Sequence, residues 1–309
     1  MKFKAFFRNI NPLNNKQDMP AALYIAKKIL AFLLIYGLSA VIGEALIIGI
    51  LSAMGYDPLN GVMPTGHVAE LLKNYGMAVF LAVALIYCKL VEKRKLKSVG
   101  FNEKCYDYLI GGIGAVLLLV VIIGMCCATD VMRFIDITSN TDVIYMTALF
   151  AGFFIQGSAE EVICRGFLLP SLSKKTSLPL AIFVSSSAFA LPHLPSVLGA
   201  DAGFAVVGVL NLYLVSAVFS LLFIIRSNIY IVCGLHSVWN FVLYGAMGLS
   251  VSGSSSNENA LMHFQVNAES ILSGGAYGVE ASVVTTVVLG LIVVVLAKYY
   301  HKREIENGF

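Results

Sequence analysis

The stretch that decides the fold is residues 108–128, YLIGGIGAVLLLVVIIGMCCA, in which no residue carries a formal charge. At about 1.5 Å of rise per residue, a helix of this length covers roughly 30 Å, the thickness of the hydrocarbon core of a bilayer. Soluble core helices are usually shorter and more polar on one face. The stretch therefore predicts a membrane-spanning helix.

The rest of the chain repeats this pattern. Of its 309 residues, 58% are hydrophobic and 13% are charged, whereas roughly 25% of an ordinary soluble domain is charged. We therefore predict an all-α, polytopic membrane helix bundle with about eight transmembrane helices, forming a single membrane domain over residues 29–300. The other predicted spans are 29–54, 76–91, 143–169, 179–199, 203–225, 229–249 and 279–297.

Basic residues predict the orientation of these spans, because lysine and arginine are retained on the cytoplasmic side. Of the 21 basic residues, eighteen fall in the N-terminal segment 1–28, the segment 89–104, the later inner connections and the tail 301–309. Of the other three, Lys73 and Arg133 fall in outer connections, and Arg165 lies within the fourth span. Both termini are therefore expected to be cytoplasmic. The net charge is only +3, so nucleic acid is not an expected partner.

Two further features of the sequence, an outer loop and the cysteines, do not indicate a catalytic group. The outer loop 250–278 is rich in Ser, Asn and Gly and lacks Lys and Arg, which favours a flexible lid or tether. The six cysteines show no CxxC spacing, so neither a disulfide framework nor a zinc-thiolate site is expected.

Ionisable residues inside the fourth span need an explanation, because each costs about 2.5 to 3.5 kcal/mol on insertion scales. Glu161 and Arg165 are four residues apart, on one helical face at ion-pairing distance. Glu160 points about 100° away and is free to act as a base. The alternative is a helix end whose charges reach the inner headgroups.

Polar side chains also occur in later spans. Phe189 and His193 lie one turn apart around a proline, and His236 and Asn240 share a face. Helix-packing hydrogen bonds are the alternative for both pairs. Helical rise places Glu160, the two histidines and Asn240 in one central to cytoplasmic layer. Glu44, in the first span, has no assigned role beyond pairing with a polar group on another span.

The ordered motifs resemble a known family. Glu160-Glu161-x-x-x-Arg165, Phe189-x-x-x-His193 and His236-x-x-x-Asn240 are similar to the three motifs of the CPBP family of CAAX prenyl endopeptidases and bacterial ABI or bacteriocin-processing proteins. The resemblance covers about 80 residues, 160–240. It implies an eight-helix intramembrane glutamic protease, in a bacterial cell membrane, that acts on a membrane-associated peptide or protein.

The resemblance also implies residue roles. Glu160 with His193 would polarise a water, His236 and Asn240 would donate to the oxyanion, and Glu161 with Arg165 would hold the helix, with Phe189 supporting. A cavity open to the cytoplasm would supply the water. No cofactor is expected under this reading.

Two alternatives use the same residues. Zinc held by Glu160, His193 and His236 would make a metalloprotease. A non-catalytic scaffold or a proton-coupled transporter would use the polar cluster as a relay. The sequence does not choose among a prenylated CAAX tail, a bacteriocin leader, a pheromone precursor and a membrane protein as substrate.

Overall fold

The protein is described here by a computed structural model that covers residues 9–64, 67–138, 141–267 and 270–306. Residues 1–8 and 307–309, which include parts of the predicted N-terminal segment and tail, lie outside the described residues. The main helices are α1 Ala21–Ala53, α2 His67–Leu90, α3 Asp107–Ala128, α4 Val143–Leu172, α5 Leu178–Leu198, α6 Ala202–Arg226, α7 Tyr230–Phe241 and α8 Val283–Glu306.

Two strands join the loops at one end of the bundle. β1 Met132–Ile137 pairs antiparallel with β2 Met262–Val266, which lies inside the predicted outer loop 250–278. The structure thus adds a β-ribbon to a bundle predicted as all-α. Short 3₁₀ turns lie at Pro58–Asn60, Leu96–Val99, Gly275–Tyr277 and Val279–Ala281.

The helices α4 and α5 are irregular where they carry the sequence motifs. The side chain of Asp142 caps the start of α4 by accepting from the Ile144 and Tyr145 amides at 2.9 and 3.0 Å. Directly after Glu161, α4 becomes π-helical over Val162–Leu168. In α5, a 3₁₀ turn at Leu191–His193 interrupts the helix beside Pro192, whose ring cannot continue the α-helical hydrogen bonding.

Seven helices in the described chain are long and apolar enough to cross a membrane, which confirms a polytopic helical membrane bundle. The predicted span 229–249 is not among them. It is the 12-residue α7, continued by a five-residue π-helical turn at Val242–Ala246. Together they rise about 25 Å, short of a typical hydrocarbon core. Because this segment lies at the centre of the bundle and packs against other helices, it does not have to match the full thickness of the lipid.

Although short, α7 runs between the same two ends of the bundle as α3. Just before it, the Asn228 side chain donates to the Lys104 carbonyl and to the Asp107 carboxylate, at the start of α3. Just after it, Gly245 accepts from the Leu261 amide, which leads into β2, and β2 pairs with the strand that follows α3. The alternating course predicted for eight helices is therefore preserved.

Small residues allow α7 to pack closely against its neighbours. A Cβ on Gly111 of α3 would collide with the Ile231 carbonyl, and one on Gly234 of α7 would collide with the Tyr108 carbonyl. On α4, a Cβ at Gly157 would lie 2.7 Å from the Ser237 hydroxyl. Such close backbone approach is how helices associate inside membranes.

The two ends of the bundle differ in composition. We call the end that holds the connections 91–106, 173–177 and 227–229 the basic face. There the Lys28 ammonium lies 2.5 Å from Glu92, and Arg226 lies 2.6 Å from Asp107. We call the opposite end, which holds the β-ribbon, the ribbon face.

The helix boundaries differ from the prediction at both ends of the chain. The helix α1 begins at Ala21 rather than residue 29, because Lys27 and Lys28 are buried in the bundle and find partners there. Lys27 donates to the Asn14 side chain and to the Lys16 carbonyl, both at 2.8 Å. The helix α8 runs from Val283 to Glu306, beyond the predicted end of the span.

Candidate active site

The carboxylate of Glu160 lies between two imidazoles that come from different helices. Its Oε2 is 4.0 Å from Nε2 of His193, on α5, and 3.9 Å from Nε2 of His236, on α7. This oxygen is buried and accepts no hydrogen bond from any described residue. Three proton acceptors or donors thus converge on one point near the middle of the bundle.

The other oxygen of Glu160 is held by a chain of amides. Gln156, one turn earlier on α4, donates from Nε2 to Glu160 Oε1 at 2.5 Å. Its own Oε1 accepts from Asn240 Nδ2 at 2.9 Å. Gln156 was not singled out in the sequence, although its i, i+4 spacing to Glu160 is a usable signal. It links Asn240 to the glutamate and orients the carboxylate.

Glu161 occupies a different environment from its neighbour. Its Oε1 accepts from Arg165 Nη1 at 3.0 Å and from His236 Nδ1 at 2.9 Å. Both side chains of the ion pair are fully buried. The predicted i, i+4 pair is present, and it has a third member, because Glu161 also orients His236. A histidine that donates from Nδ1 presents Nε2 to the opposite side, toward Glu160.

Arg165 is enclosed by hydroxyl groups and aromatic rings. It donates from Nη2 to the Ser216 hydroxyl at 2.5 Å and to the Ser216 carbonyl at 3.1 Å. The guanidinium carbon lies 4.6 Å from the Phe189 ring centroid and 5.1 Å from that of Phe219. Phe219 also stacks on His236, with the ring centroids 5.3 Å apart. Phe189 therefore supports the charged layer, as does Phe219, which the sequence motifs did not mark.

His193 is held by its own helix. Its Nδ1 lies 2.9 Å from the Phe189 carbonyl, one turn earlier in the same helix. A carbonyl can only accept, so Nδ1 carries the hydrogen and Nε2 faces Glu160. The two histidines therefore approach the glutamate through equivalent nitrogens.

A cavity of about 260 Å³ connects this cluster with the ribbon face. Its deep end is formed by Gln156, Glu160, His193 and Asn240, and its outer end includes Glu70, Lys73, Ser196, Ser252 and Ser254. The predicted opening toward the basic side is not seen in this cavity, whose lining residues lie toward the ribbon face, and the segment of α4 below the glutamates is buried. Every residue of Val162–Leu168 is buried.

Glu44 lies away from the cluster. It is exposed on α1 and lines an apolar groove between α1 and α2 that Lys73 also lines. Within the described ranges, no group of three or more His, Cys, Asp or Glu side chains has an arrangement that could hold a metal ion.

The region that builds the cluster also matches a known family. Residues 142–242 match the family model described as type II CAAX prenyl endopeptidase Rce1-like. The match includes all three motifs and confirms the resemblance to the CPBP family. A comparison with curated proteins finds no match. The helices and the family match together support an integral membrane peptidase of the CAAX protease type.

Proposed function

We propose that the protein is an intramembrane endopeptidase that hydrolyses a peptide bond with a water activated by Glu160. The observation that carries this proposal is the convergence of Glu160 Oε2 with the Nε2 atoms of His193 and His236 at 4.0 and 3.9 Å. One water oxygen can lie about 2.8 Å from two atoms so spaced, within hydrogen-bonding distance of both. The buried, unpartnered carboxylate oxygen is the natural acceptor of that water's proton.

The reaction follows from these positions. Glu160 takes a proton from the water as its oxygen bonds to the scissile carbonyl carbon. The carbonyl oxygen becomes an oxyanion, to which Asn240 Nδ2 donates after exchanging its bond to Gln156. Glu160 then passes the proton to the leaving nitrogen as the C–N bond breaks. The water gives one hydrogen to Glu160 and the other to the Nε2 of one imidazole, and the apolar surroundings strengthen each hydrogen bond.

The geometry favours a changed role for His236. From the sequence it was predicted to donate to the oxyanion, as Asn240 does. Because its Nδ1 hydrogen goes to Glu161, a neutral His236 offers an accepting Nε2 on the side of Glu160. We therefore assign His236, alongside His193, as an acceptor for the second hydrogen of the water, and leave the oxyanion to Asn240.

The test is a cleavage assay on the purified protein with a panel of fluorescence-quenched peptides that includes a prenylated CAAX tail and a bacteriocin leader. Glu160→Gln should abolish cleavage of whichever peptide the wild type cuts, a loss of about 10²- to 10⁴-fold for a general base. The control is Glu44→Gln, which neutralises another glutamate within the bundle but outside the cluster. If Glu160→Gln cleaved as fast as Glu44→Gln, a scaffold or transporter would replace the protease proposal.

The same assay separates glutamate from zinc chemistry. We expect cleavage to persist in a strong chelator, because the proposed base acts on water without a metal. Loss of cleavage on chelation, restored by zinc, would instead assign Glu160, His193 and His236 as metal ligands.

A further inference from the structure

The cavity of about 260 Å³ that leads to Glu160 opens toward the ribbon face of the bundle. Its outer end is lined by Glu70 and Lys73 from the start of α2, by Ser196 from the end of α5, and by Ser252 and Ser254 from the loop after α7. All of these residues lie toward the ribbon face. A peptide that reaches the cluster through this cavity must therefore come from that side.

The basic face is closed below the cluster. The π-helical segment Val162–Leu168 is buried throughout and lies between Glu161 and the connections of the basic face, where Ile163 and Cys164 border a space of about 30 Å³ beside Glu160. The Arg94 side chain holds this segment in place, because its Nη2 donates to the Gly166 carbonyl at 2.9 Å and its Nη1 to the Phe167 carbonyl at 3.3 Å. Access from this face would require these bonds and the packed segment to open.

The rim of the cavity is fixed in place. The Glu280 carboxylate accepts from the Ser252 amide at 2.6 Å and from Trp239 Nε1 at 3.0 Å. The loop segment at the opening is thereby tied to α7, the helix that carries His236 and Asn240. The opening at the ribbon face is thus a built part of the site.

Charge indicates which side of the membrane this face meets. In the described chain, the connections at the ribbon face carry a single basic residue, Arg133, whereas the segment 91–106 alone carries five. Lysine and arginine are retained in the cytoplasm. The basic face is therefore the cytoplasmic one, and the ribbon face is the outer one.

We propose that substrates enter from the non-cytoplasmic side, so that the substrate class is an exported peptide or an outward-facing segment of a membrane protein. A tail displayed in the cytoplasm would meet the closed face. This inference rests on the proposed peptidase function for its chemistry, whereas the access side depends on the fold and the charge distribution alone.

The experiment uses the full-length protein with Cys105→Ser and Cys127→Ser as background, so that added cysteines dominate labelling. Ser196→Cys places a thiol at the cavity opening. Ser173→Cys is the matched control, an exposed serine at the opposite, basic face. A bulky, membrane-impermeant maleimide is applied to intact cells, and again after permeabilisation.

We expect Ser196→Cys to be labelled in intact cells and Ser173→Cys only after permeabilisation. In the purified protein, the label on Ser196→Cys should remove most of its cleavage of the reporter peptide, compared with its own unlabelled form. The label on Ser173→Cys should leave the rate of that variant unchanged.

The outcomes separate the two proposals. Labelling of Ser173→Cys but not Ser196→Cys in intact cells would overturn the outward orientation. Loss of cleavage on labelling Ser173→Cys, but not on labelling Ser196→Cys, would overturn the access side. If the labelling and blocking pattern held while Glu160→Gln still cleaved, the access side would stand and the glutamate mechanism would fall.

Discussion

Two layers of the same site, one residue apart in sequence, have opposite environments. Glu161 and Arg165 form a dry layer whose side chains are fully buried. Glu160 and His193 line a cavity, and their side chains are 18% and 14% exposed. The comparison shows how a helix can give two adjacent carboxylates different tasks. One is a permanent charge that holds a partner in position, and the other is left with an oxygen free to accept a proton.

The difference follows from helical geometry and from the neighbours on either side. Successive residues point about 100° apart, so Glu160 and Glu161 meet different helices. Glu161 faces α7, where it meets His236, and it also pairs with Arg165, one turn later on α4, whose guanidinium bonds to Ser216 of α6. Glu160 faces the cavity, where Gln156 is its one hydrogen-bond donor among the described residues. His236 contacts both layers. The hydrogen bond from its Nδ1 to Glu161 therefore also fixes the position of its Nε2 in the cavity.

A substitution of Glu161 is the strongest test of the difference between the two layers. Glu161→Gln leaves Arg165 and His236 without their shared anion, and an unpaired buried charge costs about 3–5 kcal/mol. We expect lower yield and a reduced free energy of unfolding, with activity lost as a consequence. Thermal unfolding in detergent checks this, with Glu160→Gln as the matched control that should stay near wild type. Equal stability of the two variants would remove the distinction between the layers.

Asn240 tests the cavity layer alone. Asn240→Ala removes the proposed oxyanion donor and should reduce the rate constant for cleavage about 10²- to 10³-fold, with little change in unfolding temperature. Steady-state kinetics on the cleaved reporter peptide measure it. A variant that lost substrate affinity but kept its maximal rate would show that Asn240 binds substrate rather than the oxyanion.

Gln156 should have a smaller effect, because it acts through other residues. Gln156→Leu removes a donor to Glu160 and an acceptor for Asn240, and we expect a loss of about tenfold, since one mispositioned hydrogen bond costs about 1–1.5 kcal/mol. The double variant with Asn240→Ala should lose less than the sum of the two losses, because the residues share one hydrogen bond. Additive losses would show that Gln156 positions nothing through Asn240.

The smallest expected effect lies at the ribbon, far from both layers. The Asp136 carboxylate accepts from His263 Nδ1 at 2.8 Å and raises the pKa of His263. The resulting stabilisation is complete below the imidazole's unfolded pKa and is lost as pH rises through the raised folded value. Hydrogen-exchange protection of β2 amides should therefore fall as the pH rises above the ordinary imidazole pKa of 6.5.

Asp136→Asn is the control for the ribbon. This variant should lack the pH dependence in β2 while leaving the protection of α4 unchanged. If protection in β2 fell equally in both proteins, the pair would not be the cause.

Local features of the chain could be predicted from sequence because their causes are local. Uncharged runs of about 20 residues indicate spans wherever they occur, and this predicted the helical bundle. The pairing of Glu161 with Arg165 follows from i, i+4 spacing within one helix. The three ordered motifs indicated the family, which the match over residues 142–242 confirms.

Long-range contacts were decided by the tertiary structure. Pairing between strands 132–137 and 262–266 depends on where two distant loops end, which helical periodicity does not encode. The same holds for the bond from His236 to Glu161 and for the link from Asn240 through Gln156. The side to which the cavity opens was also decided there, because it depends on how tightly Val162–Leu168 packs against helices far away in sequence. Sequence thus determined which residues carry charge into the membrane, and only packing decided which of them stay dry.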